Sequence, residues 1–183
     1  MRVTISSSSR DAIDDVFKDE SRKTVAYLAD QGCELNWGSG KFGIMGICYD
    51  EFSKKNNKIH GYTNAKYAFE IDELPNAEHE IYDDTFDLKK HIFSDGDVIL
   101  CLPGGTGTIS EFFSYLEEIR SNDKNQELIV CNYNGWFNKV QESIEDLIKK
   151  GFNDESILNY YKVANTYEDF VSLFEELKNQ FSR

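Results

Sequence analysis

Residues 102–112 read LPGGTGTISEF: three glycines and two threonines behind an apolar run, followed closely by the carboxylate of Glu111. A tight turn needs one or two glycines. A larger number, where an apolar strand hands over to a helical pattern, leaves backbone N–H groups uncovered at the positive end of a helix dipole, and that suits a phosphate. Gly104, Gly105 and Gly107 would supply the uncovered backbone, with Thr106 and Thr108 adding hydroxyl donors. Glu111 has two readings. Thr108-Ile109-Ser110-Glu111 has capping-box spacing, in which the glutamate bonds back to a backbone N–H. Beside a phosphate-sized nest, the same carboxylate could instead stabilise a cationic transition state or position a water. Residue spacing does not separate the two.

A second stretch, Gly38-Ser39-Gly40-Lys41-Phe42-Gly43, fits G-x-G-x-x-G between a strand and a helix. A dinucleotide fingerprint also wants an acidic residue about 20 positions later. Residues 58–63 read KIHGYT and contain none. The stretch is not a P-loop either, because Lys41 is followed by Phe42 rather than Ser or Thr. It serves equally as a tight turn or as the second wall of a nucleotide site. Ser7 and Ser8, after the first strand-like run, are likewise ligand contacts or caps of the next helix.

The elements that must position these residues follow from hydrophobic periodicity. Strand-like runs fall at 2–6, 33–37, 58–62, 80–82, 97–102, 127–131 and within YYKVAN at 160–165. Helical stripes separate them. Ile13, Val16, Phe17, Val25 and Leu28 mark one that stops at Gly32, and MGICYDEFSKK and residues 84–93 mark two more. Phe112, Phe113, Leu116 and Ile119 follow the glycine loop, and Trp136, Val140, Ile144, Leu147 and Ile148 run to Gly151. The last stripe joins Phe170, Leu173, Phe174, Leu177 and Phe181 behind a Thr166/Asp169 capping box. All-apolar strands alternating with helices imply an α/β fold: a Rossmann-like parallel sheet with helices on both faces, in one domain over residues 1–183. Ligands bind such sheets at the carboxyl ends of the strands, where both glycine stretches lie.

Composition narrows the partners. Lys and Arg total 20 against 33 Asp and Glu, a net charge of −13, which repels nucleic acid and anionic membrane. With 13 Phe, 10 Tyr and 2 Trp the chain has a core to build. The start shows no signal-peptide pattern and no apolar run of membrane-spanning length, so a cytoplasmic protein is expected. Cys33, Cys48, Cys101 and Cys131 read as buried reduced thiols. His60, His79 and His91 show no metal-ligand spacing, and no cofactor is called for.

PGGTGTISE at 103–111 resembles the P-G-G-x-G-T-x-x-E signature of the LOG family, phosphoribohydrolases that activate cytokinins and that also carry the label of possible lysine decarboxylases. Gly38, Gly40, Gly43, Met45 and Gly46 resemble that family's G-G-G-x-x-G-L-M-G segment, and VTISSSS its opening strand and serine turn. The resemblance implies a Rossmann-like homodimer that hydrolyses the N-glycosidic bond of a nucleoside 5′-monophosphate to free base and ribose 5-phosphate. It implies phosphate binding at Gly104, Gly105, Thr106, Gly107 and Thr108, catalysis at Glu111, and nucleotide contacts at Ser7, Ser8, Gly38, Ser39, Gly40, Gly43 and Met45. One departure stands out. The family's Arg-Lys pair before the central strand falls on Leu88 and Lys89, so the lysine is kept as a candidate catalytic charge and the arginine is not. Lys does not replace a forked guanidinium. That loss supports an alternative, a nucleotide sensor or carrier without hydrolysis. Tyr62, Asn64, Lys66 and Tyr67 either line an altered base pocket or pack.

Overall fold

The computed structural model describes residues 1–122 and 125–181, the side chain of Phe181 lying outside the described part. Elements run β1 (Arg2–Ser6), α1 (Asp15–Asp30), β2 (Glu34–Trp37), α2 (Gly43–Lys54), β3 (Ile59–Asn64), β4 (Glu78–Tyr82), α3 (Thr85–Ser94) and β5 (Val98–Cys101). They continue with α4 (Thr106–Asn122), β6 (Glu127–Cys131), α5 (Asn138–Lys149), β7 (Lys162–Ala164) and α6 (Tyr167–Phe181). A nine-residue 3-10 helix, Ala65–Glu73, joins β3 to β4 where the sequence shows no clear period.

The seven strands form one sheet in the order β4-β3-β2-β1-β5-β6-β7, and every pairing is parallel. The chain builds outward from β1 through β2 and β3 to β4, then crosses back to place β5 on the other side of β1. This reversal puts the ligand crevice of an open α/β sheet between the carboxyl ends of β1 and β5. Val3 pairs with Val98 and Ser6 with Cys101, so both strands end level with one another.

Strand alternation divides the core into two layers. Val3, Ile5, Val98, Leu100, Ile129 and Cys131 face α1, α2 and α6, where Val25, Leu28, Ile44, Phe52, Phe170 and Phe174 meet them. Ile99, Cys101, Leu128 and Val130 face the opposite way, against Ile92 and Phe93 of α3, Phe112, Tyr115 and Leu116 of α4, and Ile144 of α5. The doubly wound arrangement expected from the all-apolar strands is thus the one observed. All four cysteines are buried and free.

Helix ends follow their local chemistry. Gly32 (φ +72°) and Gly151 (φ +79°) take the left-handed conformation just past α1 and α5. The Thr166/Asp169 box closes as expected, with Asp169 N–H donating to Thr166 Oγ1 at 3.1 Å and Thr166 N–H to Asp169 Oδ2 at 3.0 Å. Among the described residues no helix is long and apolar enough to cross a membrane.

Candidate active site

The glycine loop of residues 103–105 leaves β5 and enters α4 at Thr106. Gly105 provides the first helical acceptor, its carbonyl receiving Ile109 N–H at 3.1 Å. The N–H groups of Thr106, Gly107 and Thr108 lie in the first turn, where no residue four back is helical. The three glycines here answer to different constraints. A Cβ on Gly104 would collide with the buried Thr108 hydroxyl, so Gly104 is required by the fold itself. Gly105 and Gly107 have nothing within 4 Å of where a Cβ would sit, and no positive φ. Neither backbone strain nor protein packing explains those two glycines. Both are exposed, as is Thr106, and together they present uncovered main chain at the helix dipole's positive end.

The helix begins three residues earlier than a Thr108 cap requires. Thr108 lies inside α4 with its side chain turned beneath Gly104. Glu111, in the second turn, therefore does not cap the helix: its carboxylate Oε2 accepts a hydrogen bond from Ser6 Oγ, at the end of β1. Glu111 spans the β1/β5 crevice. Burial pushes its carboxyl pKa up, and the Ser6 hydroxyl and the Lys89 charge pull in the opposite direction without cancelling that rise. Lys89 reaches over from α3, donating to Ser110 Oγ at 3.0 Å. Leu88, beside it, packs against the apolar layer under α4, so the helix offers no guanidinium here.

Three loops are tied together at this edge by Ser8. Its N–H donates to the Pro103 carbonyl at 3.1 Å, its carbonyl accepts Met45 N–H at 3.1 Å, and its hydroxyl accepts Arg10 N–H at 3.1 Å. Gly43 (φ +58°) sits so near this turn that a Cβ would meet Arg10 N and O at 2.7 Å, and its own N–H donates to Asp11 Oδ1 at 2.7 Å. The first glycine stretch is held from the other side. Ser39, buried at φ +53°, lies 3.1 Å from His79 Nδ1, while His79 Nε2 is 3.1 Å from the Leu74 carbonyl. Because a carbonyl only accepts, Nε2 carries a proton, and in the neutral imidazole Ser39 Oγ–H donates to Nδ1. The Met45 methyl closes on Gly38 and Gly40.

The sequence-derived candidates therefore sort by position. Gly104, Gly105, Thr106, Gly107, Thr108, Glu111 and Lys89 converge around the first turns of α4. Ser8, Gly38, Ser39, Gly40, Gly43 and Met45 form the adjoining loops, with Ser8, Ser39, Gly40 and Gly43 buried in structural contacts. Ser7 turns its hydroxyl inward toward the Cys48 thiol, where it is buried. Tyr62 is buried and donates to Asp95 Oδ2 at 2.8 Å, and Asn64 caps the 3-10 helix by accepting Lys66 N–H at 3.0 Å. These two pack rather than line a pocket, whereas Tyr67 is exposed.

Two residues at this edge escape sequence reasoning. Ser6 could have been found from strand alternation, since it shares the inward face of Thr4, whose hydroxyl donates to the Ile92 carbonyl in α3. Trp136 reads as the start of a helical stripe. It instead precedes α5 and donates Nε1–H to the Gly104 carbonyl at 2.7 Å, bracing the glycine loop. Among the described residues no group of three or more His, Cys, Asp or Glu could hold a metal ion. A hollow of about 420 Å³ bounded by Ile119, Gln126, Glu127 and Tyr160 lies apart from these loops.

A parallel, doubly wound sheet with a glycine-lined helix start at its switch point defines a Rossmann-like α/β protein. The chain belongs to the family described as "Possible lysine decarboxylase", whose model matches residues 45–174. It is 21% identical over 150 residues to a rice (Oryza sativa subsp. japonica) protein named probable cytokinin riboside 5′-monophosphate phosphoribohydrolase LOG4, a match that spans 81% of this chain and 65% of the rice protein. Solved structures share the fold at lower identity. A molybdenum cofactor binding protein from Rippkaea orientalis superposes with a TM-score of 0.70 at 16% identity, covering 96% of this chain and 94% of that one. The molybdenum cofactor carrier protein of Chlamydomonas reinhardtii does so with a TM-score of 0.70 at 10% identity, covering 97% and 98%.

Proposed function

We propose that this protein hydrolyses the N-glycosidic bond of a nucleoside 5′-monophosphate, of the AMP or cytokinin riboside monophosphate type, to a free base and ribose 5-phosphate. The observation that carries the reading is the uncovered main chain at Gly105 and Gly107, glycines that the fold does not need. In this reading the 5′-phosphate sits on the first-turn N–H groups of α4 with the Thr106 hydroxyl, and Thr108 holds the loop from beneath. The first glycine stretch covers the other side of the nucleotide. As the C1′–N bond breaks, its electron pair leaves with the base, and positive charge grows on the ribose. Glu111 faces that charge, stabilising the transition state more than the ground state. Water closes on C1′, and the proton it gives up is matched by the proton the base gains. Lys89 steadies the ionised carboxylate. The exposed Phe69, Ile81 and Phe86, on adjoining elements, offer apolar surface to a second copy in a homodimer.

The test is incubation with a panel of nucleoside 5′-monophosphates, AMP among them, with chromatography for free base. Release by the wild-type protein that is lost in Glu111→Gln is the expected result; no release from any nucleotide would overturn the reading. Leu88 favours a second function, a carrier or sensor that binds a phosphorylated nucleotide or related cofactor without cleaving it. Saturable binding without base release, retained in Glu111→Gln, would select that alternative.

A further inference from the structure

Ser6 ends β1 on the face that looks toward α3 and α4 and is 4% exposed. Its backbone is already committed, the carbonyl accepting Leu102 N–H at 2.9 Å. What remains is one hydroxyl beside one carboxylate. An ionised carboxylate only accepts, so the serine proton must point at Glu111 Oε2. Among the described residues Oε1 has no hydrogen-bond partner. The remaining ionisable groups whose charges couple to Glu111 are Lys89 from α3, the buried Cys101 thiol from β5 and the buried Tyr115 phenol from α4 itself. Of these only Lys89 draws the carboxylate toward its charged form, and it does so through charge rather than through a bond.

We propose that Ser6 is a positioning residue for the proposed reaction: its hydroxyl fixes Oε2 and so presents Oε1 to the ribose. This rests on the reading of Glu111 as the catalytic carboxylate. A glutamate side chain has three rotatable bonds, and one hydrogen bond to a rigid strand end removes most of that freedom before substrate arrives. The same bond favours the ionised form, the one able to meet a developing cation. The backbone alternation of β1 sets this geometry, because Ser6 is two residues after Thr4, which anchors α3 in the same way.

The test compares wild type with Ser6→Ala and Ser6→Thr, with two readouts. The first is the carboxyl titration of Glu111, followed by 13C NMR in glutamate-labelled protein and assigned with Glu111→Gln. It requires no turnover, so it reads the Ser6–Glu111 bond even if base release itself fails. In Ser6→Ala the midpoint should move upward. The second is the pH profile of AMP cleavage. Ser6→Ala should lose roughly tenfold or more in kcat, the loss of a charge-assisted hydrogen bond. KM should stay within about twofold, the acid limb should move to higher pH, and Ser6→Thr should restore both. An unmoved Glu111 midpoint in Ser6→Ala, or a raised KM with unchanged kcat, would overturn the proposal. A merely structural serine would lower stability while leaving the acid limb in place.

Discussion

Substituting the loop glycines one at a time separates what the fold needs from what a ligand needs. Gly107 is the second residue of α4, has no positive φ, and has open space where a Cβ would sit. Gly107→Ala therefore removes helix-opposing chain entropy, worth about 0.5–1 kcal/mol, at no steric cost. For a chain of this size that raises Tm by roughly 1–4 °C. Gly105 lies just outside the helix and should be close to neutral. Gly104→Ala, in contrast, drives a methyl into the buried Thr108 side chain and should cost about 1–3 kcal/mol. Binding should follow a different order. A methyl at Gly105 or Gly107 lifts a phosphate off at least one N–H, and a lost charge-assisted bond of about 1.5–3 kcal/mol weakens affinity roughly 10- to 150-fold. Thermal unfolding gives the first quantity and isothermal titration with AMP the second. If Gly105→Ala and Gly107→Ala both bind AMP like wild type, the uncovered backbone does not serve a phosphate, and the proposed function loses its main support.

Other substitutions test the surroundings. Trp136→Phe keeps the aromatic packing but leaves the Gly104 carbonyl without its donor; unfolding in urea should show a loss of about 1 kcal/mol, with AMP affinity falling severalfold. Burial pulls the Glu51 carboxyl pKa upward, but bonds from Lys54 and Arg22 outweigh it and hold the group below the ordinary range. Its contribution to stability is thus present above the unfolded carboxylate pKa and fades as pH falls through the lower folded value. Wild type should lose more stability than Glu51→Gln between neutral pH and that acid window, measured by urea titration. Glu111 has the opposite sign: burial raises its carboxyl pKa, so its stabilising contribution belongs to the protonated form and is lost as pH rises. Glu111→Gln should consequently unfold at a higher temperature than wild type at pH 7, and a lower one would contradict the burial assigned to this side chain.

Much of the architecture was legible because it depends on patterns a sequence states directly. The runs around VILC and ELIVC could only be buried strands, and Gly32, Gly151 and the Thr166/Asp169 pair marked helix ends through backbone chemistry that acts within a few residues. The middle of the chain was less readable because Ala65–Glu73 forms a 3-10 helix with no fully buried residue, so no periodic apolar stripe exists to announce it. At the site, the T-x-x-E spacing fitted a cap at Thr108, but a helix start at Thr106 places the same letters inside the helix. Only the position of β1 shows which, because Glu111 finds its partner 105 residues away. Three of four consecutive serines likewise hide different roles: Ser6 faces α4, Ser7 faces Cys48, and Ser8 ties the loops together.

Glu111 and the glycine loop impose opposing demands on one helix. In the proposed function the positive end of α4 attracts the phosphate, and a half-buried carboxylate one turn further on would ordinarily repel it. The geometry separates them: the N–H groups face out at Thr106 and Gly107, while Glu111 reaches back to β1 and is bonded there. A protein with a net charge of −13 would hold an anion at this point through fixed backbone dipoles and a nearby Lys89 rather than through its overall charge. In the proposed reaction Leu88, where the family resemblance would put an arginine, would bear on the transition state rather than on ground-state binding. On that reading phosphate retention would need only the helix end, whereas neutralising the charges that shift as the glycosidic bond breaks would rely on Lys89, a point charge without a guanidinium's fork. If the proposed function holds, affinity and turnover would therefore be separable in this chain, and Leu88 would move the balance toward a protein that binds nucleotide well but cleaves it slowly.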